Sequence, residues 1–268
     1  MKQLEGRIGI ITGASAGIGA ALARDSVEAG ARVVVNARRE GPLRELESSL
    51  GAASVAVVAG DAAEDATIHE LFAAAQSHFG AEADFVAVNA GRGLRGSLTD
   101  SNTDEWDEML RTNILGATRL MRRAAHELTR GWPEPGSDEF NARWASTVEA
   151  GGPCRDIVVL GSTVGRHISP FSSMYGSTKF AVNSLAEALR RELAKTGVRV
   201  TLIEPGIVRT EFQESAGYEM EGFTAFMDSV GPVLRAEDIS RSIVFTLAQP
   251  PAVHVNDIMI RPTRQEYP

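Results

Sequence analysis

The stretch Arg7-Ile8-Gly9-Ile10-Ile11-Thr12-Gly13-Ala14-Ser15-Ala16-Gly17-Ile18-Gly19, continued by the run Ala20–Ala29, decides how this chain folds. Residues 7–12 read as one buried strand. Glycines then crowd a turn, and the alanine-rich run that follows suits a helix. Strand, glycine turn and helix, in that order, set a helix N-terminus against an anion. Gly13 permits a tight turn, Gly17 lets backbone approach a pyrophosphate, and Gly19 lets the helix lie close to the strand. The spacing is GxxxGxG, not the GxGxxG of the standard fingerprint, so a ligand-free turn stays open on these glycines alone.

Gly13-Ala14-Ser15-Ala16-Gly17 also fits G-x-S-x-G, the nucleophile elbow of α/β-hydrolases. That elbow needs an oxyanion donor from an earlier strand–helix loop. Only one strand precedes Ser15, so the donor is missing and the hydrolase reading lacks its context.

Working outward, the alternation continues. Residues 31–37 predict a second strand, ending Asn36-Ala37-Arg38-Arg39, and 40–50 a helix. Residues 54–59 predict a strand ending in Gly60-Asp61, and 64–79 a helix with Ile68, Leu71, Phe72 and Ala75 on one face. Strand 84–88 leads into Asn89-Ala90-Gly91. Thr103 is expected to cap a long helix reaching about residue 129, with Asp104 and Glu105 in its first turn. Strands 157–161, 198–204 and 256–260 follow, with helices around Tyr175 and over 236–248. Such alternation predicts βαβ units and a parallel sheet. Two stretches stand apart. Residues 131–153, with Pro133, Pro135, Gly136, Gly151, Gly152 and Pro153, are long for a connection and read as an extended surface insertion with a short helix at 138–149. Residues 211–232, with Phe212, Tyr218, Met220, Phe223, Phe226 and Met227, read as a mobile, apolar segment.

The 268 residues, 43% hydrophobic, suffice for one large α/β domain or two small ones. A net charge of −8 argues against a nucleic-acid surface. Cys154 is the only cysteine, which excludes an intrachain disulfide and suits a reducing compartment. The start, Met1 to Gly6, lacks a signal-like apolar stretch, and no apolar run reaches membrane length. The expectation is a soluble cytoplasmic protein. The histidines at 69, 78, 126, 167 and 254 show no metal-ligand spacing, so no metal is expected.

The chemistry concentrates in Tyr175-Gly176-Ser177-Thr178-Lys179. A tyrosine hydroxyl has a reference pKa near 10. A lysine beside it would favour the phenolate, and residues four apart share a helix face. Ser162, just past a strand, offers a hydroxyl to hold a carbonyl oxygen while Tyr175 moves a proton. On YxxxK alone, an amphipathic helix with a stray Tyr and Lys remains open.

With all its motifs in order, the chain resembles the short-chain dehydrogenase/reductases over nearly its whole length. Thr12 to Gly19 matches their TGxxxGxG turn, Asp61 the acid that touches the adenine, and Asn89-Ala90-Gly91 their NAG motif. Asn113, within Thr112-Asn113-Ile114-Leu115-Gly116, matches the asparagine that holds a relay water. Ser162, Tyr175 and Lys179 match the catalytic set, and Pro205-Gly206 with Thr210 the segment at the nicotinamide amide. The resemblance implies a single α/β domain, a doubly wound Rossmann-type parallel seven-stranded sheet with helices on both faces. It implies an oxidoreductase acting on a carbonyl or alcohol, with Asn113, Ser162, Tyr175 and Lys179 catalytic. Its cofactor contacts would be Gly13, Ser15, Gly17, Ile18, Gly19, Arg38, Arg39, Asp61, Ala62, Asn89, Ala90, Gly91, Tyr175, Lys179, Pro205, Gly206, Val208 and Thr210. Where NAD-preferring members carry an acid at the end of the second strand, this chain has Ala37 followed by Arg38, so NADP(H) is expected to be preferred, with NAD(H) possible. Arg39 or Asn36 would assist.

The resemblance further implies that segments 92–96, 164–174 and 211–230 meet over the nicotinamide, the last as a lid on a largely apolar substrate. Arg92, Arg95 and His167 are candidates for reading a polar or anionic group instead. The helices over 103–129 and 175–196 imply a homodimer or homotetramer. The chain departs from the family at Val88, which replaces the first Asn of Asn-Asn-Ala-Gly, at Ala16, where many NADP-dependent relatives carry a base, and in the 131–153 insertion. The alternative is a dinucleotide-binding sensor that kept the fold without catalysis. The full Asn113–Ser162–Tyr175–Lys179 set argues for the enzyme.

Overall fold

The computed structural model of the chain describes residues 2–152 and 154–266. Met1, Pro153, Tyr267, Pro268 and the side chain of Phe226 lie outside the described residues. Strand β1 (Ile8–Thr12) is buried along its whole length and leads through the glycine turn into α1 (Gly17–Glu28). Then come β2 (Arg32–Ala37), α2 (Glu40–Leu50), β3 (Val55–Ala59), α3 (Asp65–Phe79) and β4 (Phe85–Val88). The second half holds α4 (Trp106–Leu110), α5 (Ala117–Thr129), α6 (Asp138–Glu149), β5 (Arg155–Leu160), α7 (Ser173–Leu193) and β6 (Val198–Pro205). It closes with β7 (Val208–Arg209), α8 (Phe212–Ser215), α9 (Met220–Val230), β8 (Leu234–Arg235), α10 (Ala236–Leu247) and β9 (Asp257–Ile260).

The main sheet has seven strands in the order β3-β2-β1-β4-β5-β6-β9, all parallel. Side chains alternate along each strand, so each face needs its own cover. Ile8 and Ile10 join a core closed by α3, α5 and α7. Ile11, Val33 and Val35 join a second core on the other face, with Leu22 of α1, Leu43 of α2 and Ile243 of α10. This is the doubly wound α/β architecture expected from the alternation.

The long helix expected over 103–129 is interrupted. Asn102, not Thr103, is its cap: the Asn102 Oδ1 accepts from the Asp104 N at 3.2 Å. Thr103–Glu105 is a 3₁₀ turn, and a π-helical turn at Arg111–Gly116 separates α4 from α5. The insertion carries its helix at the expected residues, capped by the Ser137 hydroxyl accepting from the Phe140 N at 3.1 Å. It is not a loose excursion. The Trp132 ring is sandwiched between Arg143 and Arg155, 4.1 and 3.7 Å from its centroid, and Phe140 is buried. Burial, with the Arg143 charge nearby, pulls the Arg155 guanidinium down to about 10. The segment expected to be mobile forms α8 and α9, bracketed by β7 and β8, which pair with each other. Two-residue strands leave no periodicity to read.

At the amino ends of the strands sits an ionic quartet, buried except for the partly exposed Asp84. Asp156 accepts from Arg7 Nη2 at 2.8 Å and from Arg199 Nε at 2.6 Å, and Arg7 also pairs with Asp84. Arg199 Nη1 donates to the carbonyls of Gln249 and Val253, each at 2.9 Å, pinning the turn before β9. Burial pushes the Asp84 carboxyl up to about 6 against the pull of Arg7. Asp156→Ala leaves two buried guanidinium groups without a shared carboxylate, so a loss of about 3–5 kcal/mol is expected in urea unfolding. A loss under about 1 kcal/mol would show that the quartet is not the fastening it looks to be.

Candidate active site

The carboxyl ends of the strands open into a cleft of about 1830 Å³. Its floor is a knot between β1 and β4. The buried Thr12 hydroxyl donates to Ala87 O at 3.2 Å and accepts from Asn89 N at 3.2 Å and Ala90 N at 3.1 Å. Asn89 Nδ2 returns to Thr12 O at 2.8 Å. Gly13 turns with φ of 67°, in the left-handed region. A Cβ on Gly19 would lie 2.4 Å from Gly13 O and 2.6 Å from Asn89 Nδ2, so only glycine lets α1 approach this closely. No side chain caps the N-terminus of α1. Its first N–H groups therefore lack partners within the helix or from a cap, the arrangement that suits an anion.

Along the cleft from this turn lie the ends of β2 and β3. Ala37 closes β2 and carries no charge. Arg38 is exposed and donates to Glu108 Oε1 at 2.7 Å. Arg39 lies 3.4 Å from both Ser15 Oγ and Glu211 Oε2, joining the glycine turn to the start of α8. Asn36 also lines the cleft, with its Nδ2 committed to Val58 O at 2.9 Å and Gly60 O at 3.1 Å. Asp61 accepts from Ala63 N at 2.9 Å and from Arg111 Nη1 at 2.7 Å. Burial acts to raise the Asp61 carboxyl, but those two donors and the Arg38 charge hold it below the usual range.

On the opposite wall, Tyr175 and Lys179 stand one turn apart on α7, and Ser162 opens a 3₁₀ turn at the end of β5. Ser162 Oγ accepts from Val164 N at 3.4 Å and lies 3.5 Å from Pro205 O. Lys179 Nζ is 5.8 Å from the Tyr175 ring centroid and donates to Leu160 O at 2.7 Å. The electrostatics differ from the expected lowering of Tyr175 by the lysine. Burial pushes the Tyr175 phenol well above its ordinary value, the Ser162 hydroxyl pulls it partly back, and Tyr218 adds to the rise. Burial also brings Lys179 down to about 8. A phenol raised in this way stays protonated at neutral pH.

Ser162, Tyr175 and Lys179 line the cleft, as do Gly13, Ser15, Gly17, Ile18, Arg38, Arg39, Asp61, Ala62, Asn89, Ala90, Gly91, Pro205, Gly206, Val208 and Thr210. Gly19 and Asn113 stand behind its surface. Asn113 is buried in the π turn, where its Nδ2 donates to Arg92 O at 2.9 Å and Thr178 Oγ1 at 3.0 Å, and its Oδ1 accepts from Arg92 N at 2.8 Å. It thereby ties the loop after β4 to the helix of Tyr175. π turns recur at functional sites, and nothing in the sequence announces this one.

The three segments expected to meet do so. Gly96 N donates to Phe171 O at 2.7 Å, Arg95 N donates to Ala216 O at 3.0 Å, and the Tyr175 and Phe212 rings lie 5.4 Å apart. Of the cations considered for the substrate side, Arg92 is bound by Glu105 and Glu108, and His167 is exposed outside the cleft lining. Arg95 lines the cleft, with no ion pair among the described residues. Sequence reasoning missed Glu108, Glu211 and Gln265. Gln265 Oε1 accepts from Ile207 N at 2.9 Å beneath the Pro205-Gly206 turn. Among the described residues, no group of three or more His, Cys, Asp or Glu is placed to hold a metal ion. Gly19→Ala drives a methyl into backbone that cannot yield, so a stability loss of about 1–3 kcal/mol is expected by chemical denaturation. An unchanged midpoint would mean that α1 is free to shift.

A parallel sheet wound in both directions from β1, with its crevice at the β1–β4 switch point, defines the Rossmann-type class of nucleotide-binding folds. Within that class the chain belongs to the short-chain dehydrogenases: the family described as short chain dehydrogenase matches residues 7–133 and 150–221. The unmatched gap falls inside the 131–153 insertion. An oxidoreductase of Staphylococcus epidermidis is 30% identical over 262 residues, covering 98% of this chain and 100% of that one. One from Staphylococcus aureus is 32% identical over 262 residues, with the same coverage. Among solved structures, the closed form of a serine dehydrogenase complexed with NADP+ aligns with a TM-score of 0.79 at 28% identity, covering 97% of this chain and 96% of that one. The 3-ketoacyl-(acyl-carrier-protein) reductase of Brucella melitensis complexed with NADH aligns with a TM-score of 0.79 at 25% identity, covering 97% and 99%. The protein is an oxidoreductase of this family.

Proposed function

We propose that the protein is an NADP(H)-dependent oxidoreductase interconverting a carbonyl and an alcohol, with Tyr175 as general acid and base. The observation that carries the reading is the placement of Tyr175 on the wall of the cleft that the glycine turn opens into, with Lys179 one turn along α7 and Ser162 at the end of β5. The residues present fit a dinucleotide: an uncapped helix N-terminus, a Gly13–Gly19 approach with no room for a Cβ, and Asp61 held ionised at the adenine end. When bound, the nicotinamide supplies or accepts the hydride. Ser162 holds the substrate oxygen. Tyr175 gives that oxygen a proton in reduction and takes it back in oxidation. Lys179, brought near neutrality by burial, is the group from which Tyr175 is recharged, and it holds the ribose hydroxyls. Asn113 is assigned the water that leads from Lys179 to solvent. A non-catalytic sensor would have no use for this proton-handling set.

The substrate wall is largely apolar: Phe171, Phe212, Tyr218 and Phe223 line it, and α8 with α9 serves as a lid. Arg95 is the cation left to read a polar substituent. The family's helix faces here carry exposed Leu115 and Phe180, which support a homodimer or homotetramer. The free, buried Cys154 suits the cytoplasm. Among the described residues no helix is long and apolar enough to cross a membrane.

Two experiments test this reading. Tyr175→Phe is expected to abolish NADPH-dependent turnover across a panel of aldehydes, ketones and ketoesters while NADPH still binds. Turnover within tenfold of the parent would remove Tyr175 from the role. For the cofactor, Arg38→Ala is expected to raise the KM for NADPH far more than that for NADH, and Ala37→Asp to move preference toward NADH. Equal use of both cofactors by the parent, or no response to either change, would show that the end of β2 is not the selector.

A further inference from the structure

Glu204 is a fully buried carboxylate that the proposed chemistry does not use. It sits at the end of β6, directly before the Pro205-Gly206 turn. Its Oε1 accepts from Arg166 Nε at 2.7 Å and from Asn183 Nδ2 at 2.7 Å. Its Oε2 lies 2.6 Å from Arg166 Nη2 as a charge contact without hydrogen-bond alignment. Arg166 also reaches Asp257 Oδ1 of β9 at 3.1 Å. A carboxylate this deep costs several kcal/mol unless it is paired and hydrogen-bonded. The chain retains it with one cation and one amide, each from a different catalytic element.

Arg166 directly follows the 3₁₀ turn that Ser162 opens. Asn183 lies one turn beyond Lys179 on α7, on the face it shares with Tyr175. Ser162 Oγ lies against the carbonyl of Pro205, the residue after Glu204. The fit around the Ser162 turn is tight on both sides. A Cβ on Gly161 would lie 2.4 Å from Asn183 Oδ1 and 3.3 Å from Glu204 Cγ, and one on Gly165 would lie 2.5 Å from Asn183 Nδ2. The turn is thus gripped between Asn183 and Glu204, with Arg166 closing the third side.

We propose that Glu204 is a positioning residue for the reaction, setting the Ser162 hydroxyl against the Tyr175 phenol by clamping the Ser162 turn, α7 and the Pro205-Gly206 turn together. The clamp acts on Tyr175 through Ser162, whose contact draws the phenol down against burial. Loosening the clamp weakens that contact and leaves Tyr175 with a higher pKa. The groups facing Tyr175 are Lys179 on its own helix, Ser162 on the turn and Tyr218 on the lid. Those facing Glu204 are Arg166, Asn183 and Asp257.

The inference rests on Tyr175 as the proton donor, and the experiment separates the two. Glu204→Gln keeps the side chain's size and removes its charge. It is measured for kcat, KM, NADPH affinity by fluorescence titration, and the pH profile of oxidation. The expected result is kcat at least tenfold lower, an NADPH Kd within threefold of the parent, and the limb assigned to Tyr175 moved to higher pH. Arg166→Gln should reproduce the shift from the partly exposed side of the clamp, with Arg166→Lys recovering part of it. Arg166→Gln carries the test if Glu204→Gln does not fold. An unmoved pH limb overturns the proposal, as does a parallel loss of kcat, cofactor affinity and melting temperature, which marks a merely structural carboxylate. An active Tyr175→Phe enzyme overturns the underlying reading instead.

Discussion

The geometry of the cleft depends on one hydroxyl. Thr12 ends β1, and its Oγ1 uses its donor and both acceptor positions on the β4 end, at Ala87, Asn89 and Ala90. Each bond is worth about 0.5–1.5 kcal/mol net, but an unmet buried donor or acceptor costs about 1–3 kcal/mol. The penalty fixes the arrangement more than the bonds do. With the ends of β1 and β4 tied at this height, the chain has one short turn in which to reverse into α1. Asn89, held by the same knot, occupies the space that a Cβ on Gly19 would need. The crevice follows from this: its backbone floor cannot collapse, and α1 cannot slide away from it.

The two ends of the sheet treat charge differently. At the amino ends, Arg7, Asp84, Asp156 and Arg199 neutralise one another and fasten the turn before β9. At the carboxyl ends, half-buried Tyr175 and buried Lys179 have no carboxylate partner among the described residues, and desolvation drives the phenol up and the ammonium down. Both shifts favour the neutral forms; at neutral pH Lys179, charged in the unfolded chain, sits at a cost to folding, while Tyr175, neutral in both states, does not. Strained titration of this kind belongs where protons are exchanged. Glu204 lies between the two regimes. It is buried like Lys179 and paired like the quartet.

The features legible in the sequence were those written locally. The glycine turn, the four-residue spacing of Tyr175 and Lys179, the uncharged end of β2 and the helix at 138–149 each depend on neighbours within a turn or two. What escaped was set by partners far along the chain. Glu108 meets Arg38 across 70 positions, and Glu211 meets Arg39 across 172. Gln265 supports a turn 58 positions earlier. The π turn at 111–116 is fixed by what its side chains reach: Arg111 the Asp61 carboxylate, Asn113 the Arg92 backbone and Thr178. Periodicity through 103–129 fits an unbroken helix equally well. The lowering expected for Tyr175 failed for a related reason. Spacing places a lysine near a phenol but does not report how deeply both are buried, and burial is the larger effect.

The exposed cations at the adenosine end carry a further consequence of depth. Arg38 and Glu108 are both solvent-facing, as are Arg39 and Glu211. Exposed pairs are worth about 0.2–1 kcal/mol each and weaken with salt. A phosphate with close to two charges and several acceptor oxygens competes well against either carboxylate. The same side chains buried, as Glu204 is, would resist that exchange. The division is therefore one of depth: buried ion pairs resist exchange, and exposed ones can yield to a competing charge. Glu211 stands at the start of α8, so the pair it makes with Arg39 links the glycine turn to the segment over Tyr175 by a contact weak enough to be exchanged.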